Sequence, residues 1–159
     1  ESKSPSSDPS NLPPSATLQP EASTAKGQLE PLRSDVPNEA QLRLLVQGWL
    51  DNKALALQGQ ASMLPVVARQ HLIEQVDQER AAAVAAGNTT VVKASVTSLE
   101  VVSRQPRRIE LKAEVAYSDS TTDRSGSVVD RTEPGSLTIT YILGRDGDQW
   151  RLTAYIPQG

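Results

Sequence analysis

The sequence predicts an α+β fold for residues 38–159, with helices first and an antiparallel sheet after them. Apolar residues recur at helical spacing up to Ala86, and from Thr89 onward they alternate with polar residues, as in half-buried strands. Such segregation of helices and strands is typical of α+β domains. We therefore expect N-terminal helices packed on the concave face of a curved antiparallel sheet of about four strands, a cone-like shape with one open mouth.

The composition changes sharply near Asn38. Seven of the eleven prolines come before it, and residues 1–37 are rich in Ser, Pro and Thr. Their leucines are isolated, so burial cannot offset an ordering cost of about 1–2 kcal/mol per residue. The sequence thus predicts a disordered linker over residues 1–37 and one α+β domain over residues 38–159. A short docking motif around residues 29–32 is the alternative for part of the linker.

Two longer helices are predicted. Asn38 is a good N-cap and Gln41 stands at the capping-box spacing, so the first helix runs from there to Leu57. A short helical turn follows near Pro65 with Ser62 as its cap. The second long helix covers about residues 69–86 and ends at Gly87-Asn88, residues suited to a left-handed C-cap.

Four segments alternate as strands do, over about residues 89–103, 108–117, 128–143 and from 150 onward. The first changes phase near Ser98-Leu99, and the third is interrupted near Glu133-Pro134-Gly135. Residues 144–148 form a hairpin turn. In the last segment, the alternation places on one face Trp150, Leu152 and Ala154, and on the other face Arg151, Thr153 and Tyr155.

Composition excludes several function classes. The net charge is −3, so the basic excess of a nucleic-acid-binding domain is missing. The cluster of Arg104, Arg107 and Arg108 is read as a solvated hairpin tip rather than a phosphate site. The longest apolar runs fall far short of a membrane span, so any membrane contact is expected through an anchor outside this chain.

Residues that usually perform chemistry are scarce. There is no cysteine and one histidine, His71, so a histidine-based metal site is not expected, and His71 is read as a surface or satisfied histidine rather than a general base. The pairs Glu110/Glu114 and Asp146/Asp148 are read as an exposed strand face and a turn. Neither a Gly-x-Ser-x-Gly motif nor a glycine-rich phosphate loop occurs. We expect a protein that is not an enzyme and needs no cofactor or metal.

The few aromatic residues are better candidates for function. Trp49 lies on the apolar face of the first helix, so we expect it to pack in the core, and the same expectation holds for Trp150. The open mouth of a curved sheet can also be lined by Tyr141, Tyr155 or a partly exposed tryptophan. Such amphipathic rings suit recognition of a peptide or a small molecule.

Several stretches resemble a known family. The run LVQGWLDNKALAL at residues 45–57 resembles the first helix of the intermembrane-space-type (IMS) domain. This domain is the C-terminal domain of the J-like cell-division proteins of cyanobacteria (ZipN) and of their plastid-division relatives. Other similar stretches are Met63-Leu64-Pro65, residues 96–102 and residues 148–152. The chain departs from the family at Asn88-Thr89-Thr90, where relatives often carry aromatic residues.

The resemblance implies an NTF2-like fold and a non-enzymatic role. The chain would be the protein-interaction module of a membrane-anchored cell-division protein, on the periplasmic side of the cytoplasmic membrane, binding a tail or segment of another division protein. We place Trp49, Lys53, Tyr141 and Trp150 near its partner-binding groove. The alternatives are a cavity-based small-molecule sensor or enzyme domain, for example the extracytoplasmic part of a membrane kinase, and an oligomerisation domain.

Overall fold

The computed structural model describes residues 29–158, which form three helices followed by one four-stranded sheet. The helices are α1 (Glu39–Leu57), α2 (Leu64–Val67) and α3 (Gln70–Ala86). The strands are β1 (Thr89–Gln105), β2 (Arg108–Thr122), β3 (Val128–Asp146) and β4 (Gln149–Gln158). The sheet order is β1-β2-β3-β4 and every neighbouring pair is antiparallel, so the predicted α+β meander is confirmed.

Helix α1 begins at the predicted capping box. The Asn38 side chain accepts from the Gln41 main-chain N–H at 2.8 Å, and the Gln41 side chain accepts from the Asn38 N–H at 2.9 Å. These two bonds satisfy donors that a helix otherwise leaves unpaired at its start. Helix α3 ends at Gly87, which has a φ of 78°, as its sequence predicts.

Helix α2 starts differently from the prediction. Its N-cap is Met63 rather than Ser62, and no side chain of the cap residue bonds to the helix. The main-chain N–H of Met63 instead donates to the side-chain oxygen of Asn52 at 2.8 Å. Asn52 is fully buried on α1 and also donates to the Gly48 carbonyl, so it ties the α1–α2 connection to the helix.

The sheet buries its concave face against α1. From β2 the apolar side chains of Ile109, Leu111, Ala113 and Val115 are buried, and from α1 those of Leu42, Leu45, Val46 and Trp49. This is the pattern expected for a sheet with one wet face and a helix with one apolar stripe. Among the described residues, no helix is long and apolar enough to cross a membrane.

Bulges explain the irregularities in the strand patterns. In β1 the pairing with β2 skips Thr97, which accounts for the phase change predicted near Ser98-Leu99. The interruption expected near Pro134 is a register shift within a strand that continues. In β4 the pairing with β3 skips Thr153, and this bulge exchanges the faces of the residues that follow it.

The bulge at Thr153 corrects the predicted faces of β4. Simple alternation places Tyr155 on the face opposite to Trp150 and Leu152. In the structure Tyr155 pairs with Tyr141 across the sheet and contacts Trp49, so it lies on the concave face with them. Because the skipped residue adds one position to the strand, Ala154 turns to the other face instead.

Residues 29–37, which we call the strap, lie across one end of the sheet. Leu32 forms an antiparallel bridge with Trp150, and its carbonyl accepts from the Trp150 main-chain N–H at 2.9 Å. The indole N–H of Trp150 donates to the Ser34 carbonyl at 2.9 Å. The strap therefore extends the edge of β4 and covers a tryptophan that is only 1% exposed.

The strap does not fit the disordered linker predicted over residues 1–37. Its Asp35 carboxylate pairs with Arg145 at 2.6 Å, and Leu29 and Leu32 pack on the core. Main-chain bonds and isolated leucines leave no periodic signal in a sequence, so the polar, proline-containing composition of this segment predicts a linker instead. Residues 1–28 lie outside the described residues, and their assignment stays a prediction.

Candidate ligand-binding groove

An inner cavity of about 400 Å³ lies between the second half of α1 and the concave face of the sheet. Helix α1 contributes Trp49 and Lys53, and α3 contributes Glu79. Strand residues complete the walls, including Val115, Ile139, Tyr141 and Tyr155. An apolar cavity that holds a few polar groups is the usual form of a ligand site.

Lys53 brings a positive charge into this apolar setting. Its ammonium group lies 5.6 Å from the centroid of the Trp49 ring and 5.2 Å from that of Tyr155. At these distances the ring faces attract the cation. Its Nζ also lies 3.7 Å from a carboxylate oxygen of Glu79, whose side chain is 55% exposed. The charge is thus held at the cavity by two rings and one partly solvated carboxylate.

The hydroxyl group of Tyr155 faces Lys53. Lys53 Nζ donates to this hydroxyl oxygen at 3.3 Å, which leaves the hydroxyl proton of Tyr155 available for another acceptor. The Tyr155 ring packs against Trp49 with centroids 5.6 Å apart and planes inclined by 46°. This aromatic pair fixes the position of the hydroxyl.

The hydroxyl group of Tyr141 is buried and has no hydrogen-bond partner among the described residues. Tyr141 pairs with Tyr155 across the sheet, its exposure is 0%, and it lines the inner cavity. Burial, and then the nearby Tyr155 phenol, raise the pKa of Tyr141 above its ordinary value. The group therefore stays a neutral donor, and a buried donor without a partner is costly unless a ligand satisfies it.

The rim of the inner cavity carries a second tyrosine and a carboxylate. Tyr117 donates from its hydroxyl to Asp119 at 2.6 Å, and the other Asp119 oxygen accepts from the Thr132 main-chain N–H. Burial and then the bond to Asp119 raise the pKa of Tyr117. This side of the mouth is therefore fixed and negatively charged.

A second space, the outer slit, adjoins the inner cavity and measures about 500 Å³. It lies between α1 and the edge strand β1. The two spaces share part of their lining, including Leu50, Ala54, Val92 and Tyr117. Together they make a continuous groove that runs along the second half of α1.

The structure brings together three of the four residues proposed from the sequence. Trp49, Lys53 and Tyr141 line the inner cavity. Trp150 does not line it, because the strap covers this residue at another part of the fold. The structure therefore does not support a place for Trp150 at this cavity, and its role in partner binding stays a prediction. Tyr155, which the last strand's alternation placed on the opposite face, takes its place in the cavity.

Other candidates from the sequence lie away from the groove. His71 bonds through Nε2 to the Thr153 carbonyl at 2.7 Å and is exposed on α3. Arg107 and Arg104 bond to carbonyl oxygens of Arg145 and Pro37 at the strap end of the domain. Over residues 29–158, no group of three His, Asp or Glu side chains is placed to hold a metal ion.

These features define a small α+β domain with an aromatic-walled groove, whose inner cavity is lined by one lysine and three tyrosines. Residues 43–153 match the sequence model of the family described as ARC6-like, IMS domain. Since the match covers more than half of the chain, the chain belongs to this family. The resemblance stated from the sequence is thereby confirmed at the level of the family.

A solved structure has the same fold. The crystal structure of the intermembrane space region of chloroplast protein ARC6 is similar to this chain with a TM-score of 0.63 and 20% sequence identity. The similarity covers 78% of this chain and 98% of that chain. A search of curated protein sequences gives no match.

Proposed function

We propose that this chain is a non-enzymatic protein-interaction module of a membrane-anchored cell-division protein, of the ZipN kind found in cyanobacteria. Membership of the ARC6-like IMS family supports this proposal. The module would stand on the periplasmic side of the cytoplasmic membrane, reached through an anchor outside this chain. Its groove would bind a tail or segment of another division protein.

One observation carries the proposal: three hydrogen-bond donors belong to residues that line the inner cavity. They are the Lys53 ammonium, the Tyr155 hydroxyl and the unpartnered Tyr141 hydroxyl. Donors of this kind, one of them charged, suit a carboxylate, which accepts only. The surrounding apolar walls then suit the side chains next to that carboxylate. A peptide that ends in the cavity offers both features.

Lys53 can give up its present partner, Glu79, for such a ligand at a modest cost in free energy. Its bond to Glu79 is long, at 3.7 Å, and Glu79 is largely solvated, so that pair is weak. A ligand carboxylate enclosed by Trp49 and Tyr155 would meet the ammonium in a drier environment, where the attraction is stronger. The loss of the Glu79 pair therefore costs the ligand little.

The alternative of a cavity-based sensor or enzyme is less well supported. It requires a closed apolar pocket with His71 or a buried carboxylate pointing inward. His71 lies outside the groove, and the Glu79 side chain at the rim is 55% exposed. We therefore base the proposal on binding of a protein segment.

The test is peptide selection on the full 159-residue chain, using a random library displayed with free carboxyl ends. Calorimetry then compares each selected peptide with the same peptide amidated at its end. We expect amidation to weaken binding at least about tenfold, because it removes the charge that pairs with Lys53. Selection of no peptide, or equal binding of acid and amide, would overturn the proposal.

A matched pair of variants locates the effect. Lys53→Met removes the ammonium and keeps an apolar stem against Trp49, so we expect the same loss of affinity. Lys112→Met makes the same change at an exposed position of β2 and should leave binding unchanged. Equal effects of the two substitutions would show a general charge effect instead of a specific site.

A further inference from the structure

Three segments meet at the end of the sheet that carries the strap, and we call this surface the arginine end. They are residues 33–37 of the strap, residues 104–108 around the β1–β2 turn and residues 144–148 around the β3–β4 turn. The Arg107 side chain donates to the Arg145 carbonyl at 2.8 Å, and the Arg145 main-chain N–H donates to the Arg107 carbonyl at 3.2 Å. Arg104 donates to the Pro37 carbonyl at 2.7 Å. These bonds join the three segments into one surface.

The arginine end carries an excess of positive charge. Its three segments contain five arginines and three aspartates, although the whole chain has a net charge of −3. Arg104 and Arg107 are exposed. Each of them bonds to a carbonyl oxygen, and neither has a carboxylate partner among residues 29–158. Their charge is therefore available to an anion outside the chain.

The acidic groups of this surface are already paired with arginines. The pairs are Asp35–Arg145 at 2.6 Å, Asp146–Arg69 at 2.7 Å and Asp148–Arg33 at 3.5 Å. The last pair is weak, because it is long and both side chains are more than half exposed. Arg108 likewise lies 3.6 Å from Glu110 and is 43% exposed. Arg33 and Arg108 can therefore add to the charge of Arg104 and Arg107.

An exposed apolar side chain stands among these arginines. Val36 of the strap is 72% exposed. It follows Asp35, which pairs with Arg145, and it precedes Pro37, whose carbonyl binds Arg104. Apolar groups flanked by cations suit the surface of an anionic membrane. The apolar group enters the boundary of the acyl chains, while the cations meet the lipid phosphates.

The opposite end of the sheet has the opposite charge. Residues 119–133 of β2, β3 and their connection contain four acidic residues and two arginines. At about 3.3 Å per residue, Asp119 lies roughly 35 Å along β2 from Arg108. Asp119 lines the inner cavity. An anionic surface would thus attract the arginine end, repel the acidic end and leave the cavity open.

We propose that the arginine end docks the domain on an anionic lipid bilayer, with exposed guanidinium groups on the lipid phosphates and Val36 in the interface. The guanidinium groups are those of Arg33, Arg104, Arg107 and Arg108. This contact goes beyond the proposed function and is independent of any ligand in the groove. A bilayer fits better than a soluble anion, because the arginines spread over three segments and line neither the inner cavity nor the outer slit.

The test is sedimentation of the full 159-residue chain with lipid vesicles. Vesicles of phosphatidylglycerol and phosphatidylcholine in equal parts offer an anionic surface, and vesicles of phosphatidylcholine alone offer a neutral one. We expect partition into the anionic vesicles to be at least about tenfold stronger and to weaken as the salt concentration rises. Equal partition into both kinds of vesicle, or no partition into either, would overturn the proposal.

Two double variants locate the contact. Arg104→Gln with Arg107→Gln should lower partition into anionic vesicles at least about tenfold, because two charges at the lipid surface are lost. Arg124→Gln with Arg131→Gln makes the same change at the acidic end and should lower partition by no more than about twofold. Circular dichroism confirms that both variants are folded. Equal losses in the two variants would overturn the assignment of this surface.

Val36 provides a test that leaves every arginine bond in place. Val36→Trp should raise partition severalfold and Val36→Asn should lower it, since the side chain enters the interface. Unchanged partition in both variants would overturn this placement of Val36. Inorganic phosphate at millimolar concentration separates a soluble anion from a lipid. If phosphate shifts the NMR signals of the Arg104 and Arg107 side chains while the chain fails to sediment with vesicles, a soluble-anion site replaces the membrane surface and the proposal is overturned.

Discussion

The indole N–H of Trp150 donates a hydrogen bond to the main-chain oxygen of Ser34 at 2.9 Å. This bond joins a buried residue of β4 to a segment that precedes the first helix. With the Leu32–Trp150 bridge, it makes the strap part of the folded unit. The folded unit accordingly includes residues that precede Asn38.

The strap predicts different effects for two truncations. Removal of residues 1–28 keeps the strap and gives the reference chain. Removal of residues 1–37 should lower the free energy of unfolding below that of the reference chain by roughly 3 kcal/mol, because two hydrogen bonds to Trp150 and the burial of Leu29 and Leu32 are lost. Urea unfolding followed by tryptophan fluorescence measures both. Equal stability of the two truncated chains would contradict this role of the strap.

The hydrogen bonds of the buried Asn52 side chain are expected to stabilise the connection between α1 and α2. Substitution Asn52→Leu removes the acceptor of the Met63 N–H and the donor to the Gly48 carbonyl, in a fully buried place. We expect a loss of about 1–3 kcal/mol, since the main-chain N–H of Met63 is left without its partner. Gln78→Leu is the matched control, because it makes a similar change at an exposed position of α3.

Thermal and urea unfolding of the Asn52→Leu and Gln78→Leu variants give the comparison. The Gln78→Leu variant should stay within about 0.5 kcal/mol of the unsubstituted chain. An Asn52→Leu variant as stable as the unsubstituted chain would show that the Asn52 bonds contribute nothing.

The raised pKa values of two tyrosines predict that the domain loses stability at alkaline pH. Burial is the main cause that raises the pKa values of Tyr117 and Tyr141 above their ordinary value of 10.0. Their contribution is complete below pH 10. Above it, the unfolded chain loses phenol protons that the folded chain keeps, so the free energy of unfolding falls as pH rises. Each group contributes a slope of up to about 1.4 kcal/mol per pH unit.

Urea unfolding between pH 8 and pH 11 measures this slope. A chain with Tyr117→Phe and Tyr141→Phe should show a shallower decline, because both linked protons are gone. An unchanged slope in the double variant would mean that other groups govern the alkaline transition.

The sequence was sufficient for features that depend on local patterns. The capping box at Asn38 and Gln41, the glycine end of α3 and the order of strands each have a residue signature that acts within a few positions. Trp49 and Lys53 both line the inner cavity, and they lie on one stretch of α1 whose helical period is clear; their role in partner binding stays a prediction.

Two features of the site depend on tertiary contacts. The skipped residue Thr153 brings Tyr155 to the concave face, and a bulge of this kind leaves no mark in an alternating pattern. Trp150 was placed near the groove because its aromatic ring suits binding. Its true neighbour, the strap, is held largely through main-chain atoms that any sequence would provide.

Substitution Tyr141→Phe is the measurement that tests the central claim most directly. It removes the hydroxyl that has no partner among the described residues and keeps the ring. If the inner cavity is a binding site, the free energy of unfolding should rise by about 1 kcal/mol while affinity for the selected peptide falls about tenfold. A variant that binds the peptide as tightly as the unsubstituted chain would contradict the proposal that this hydroxyl holds the partner.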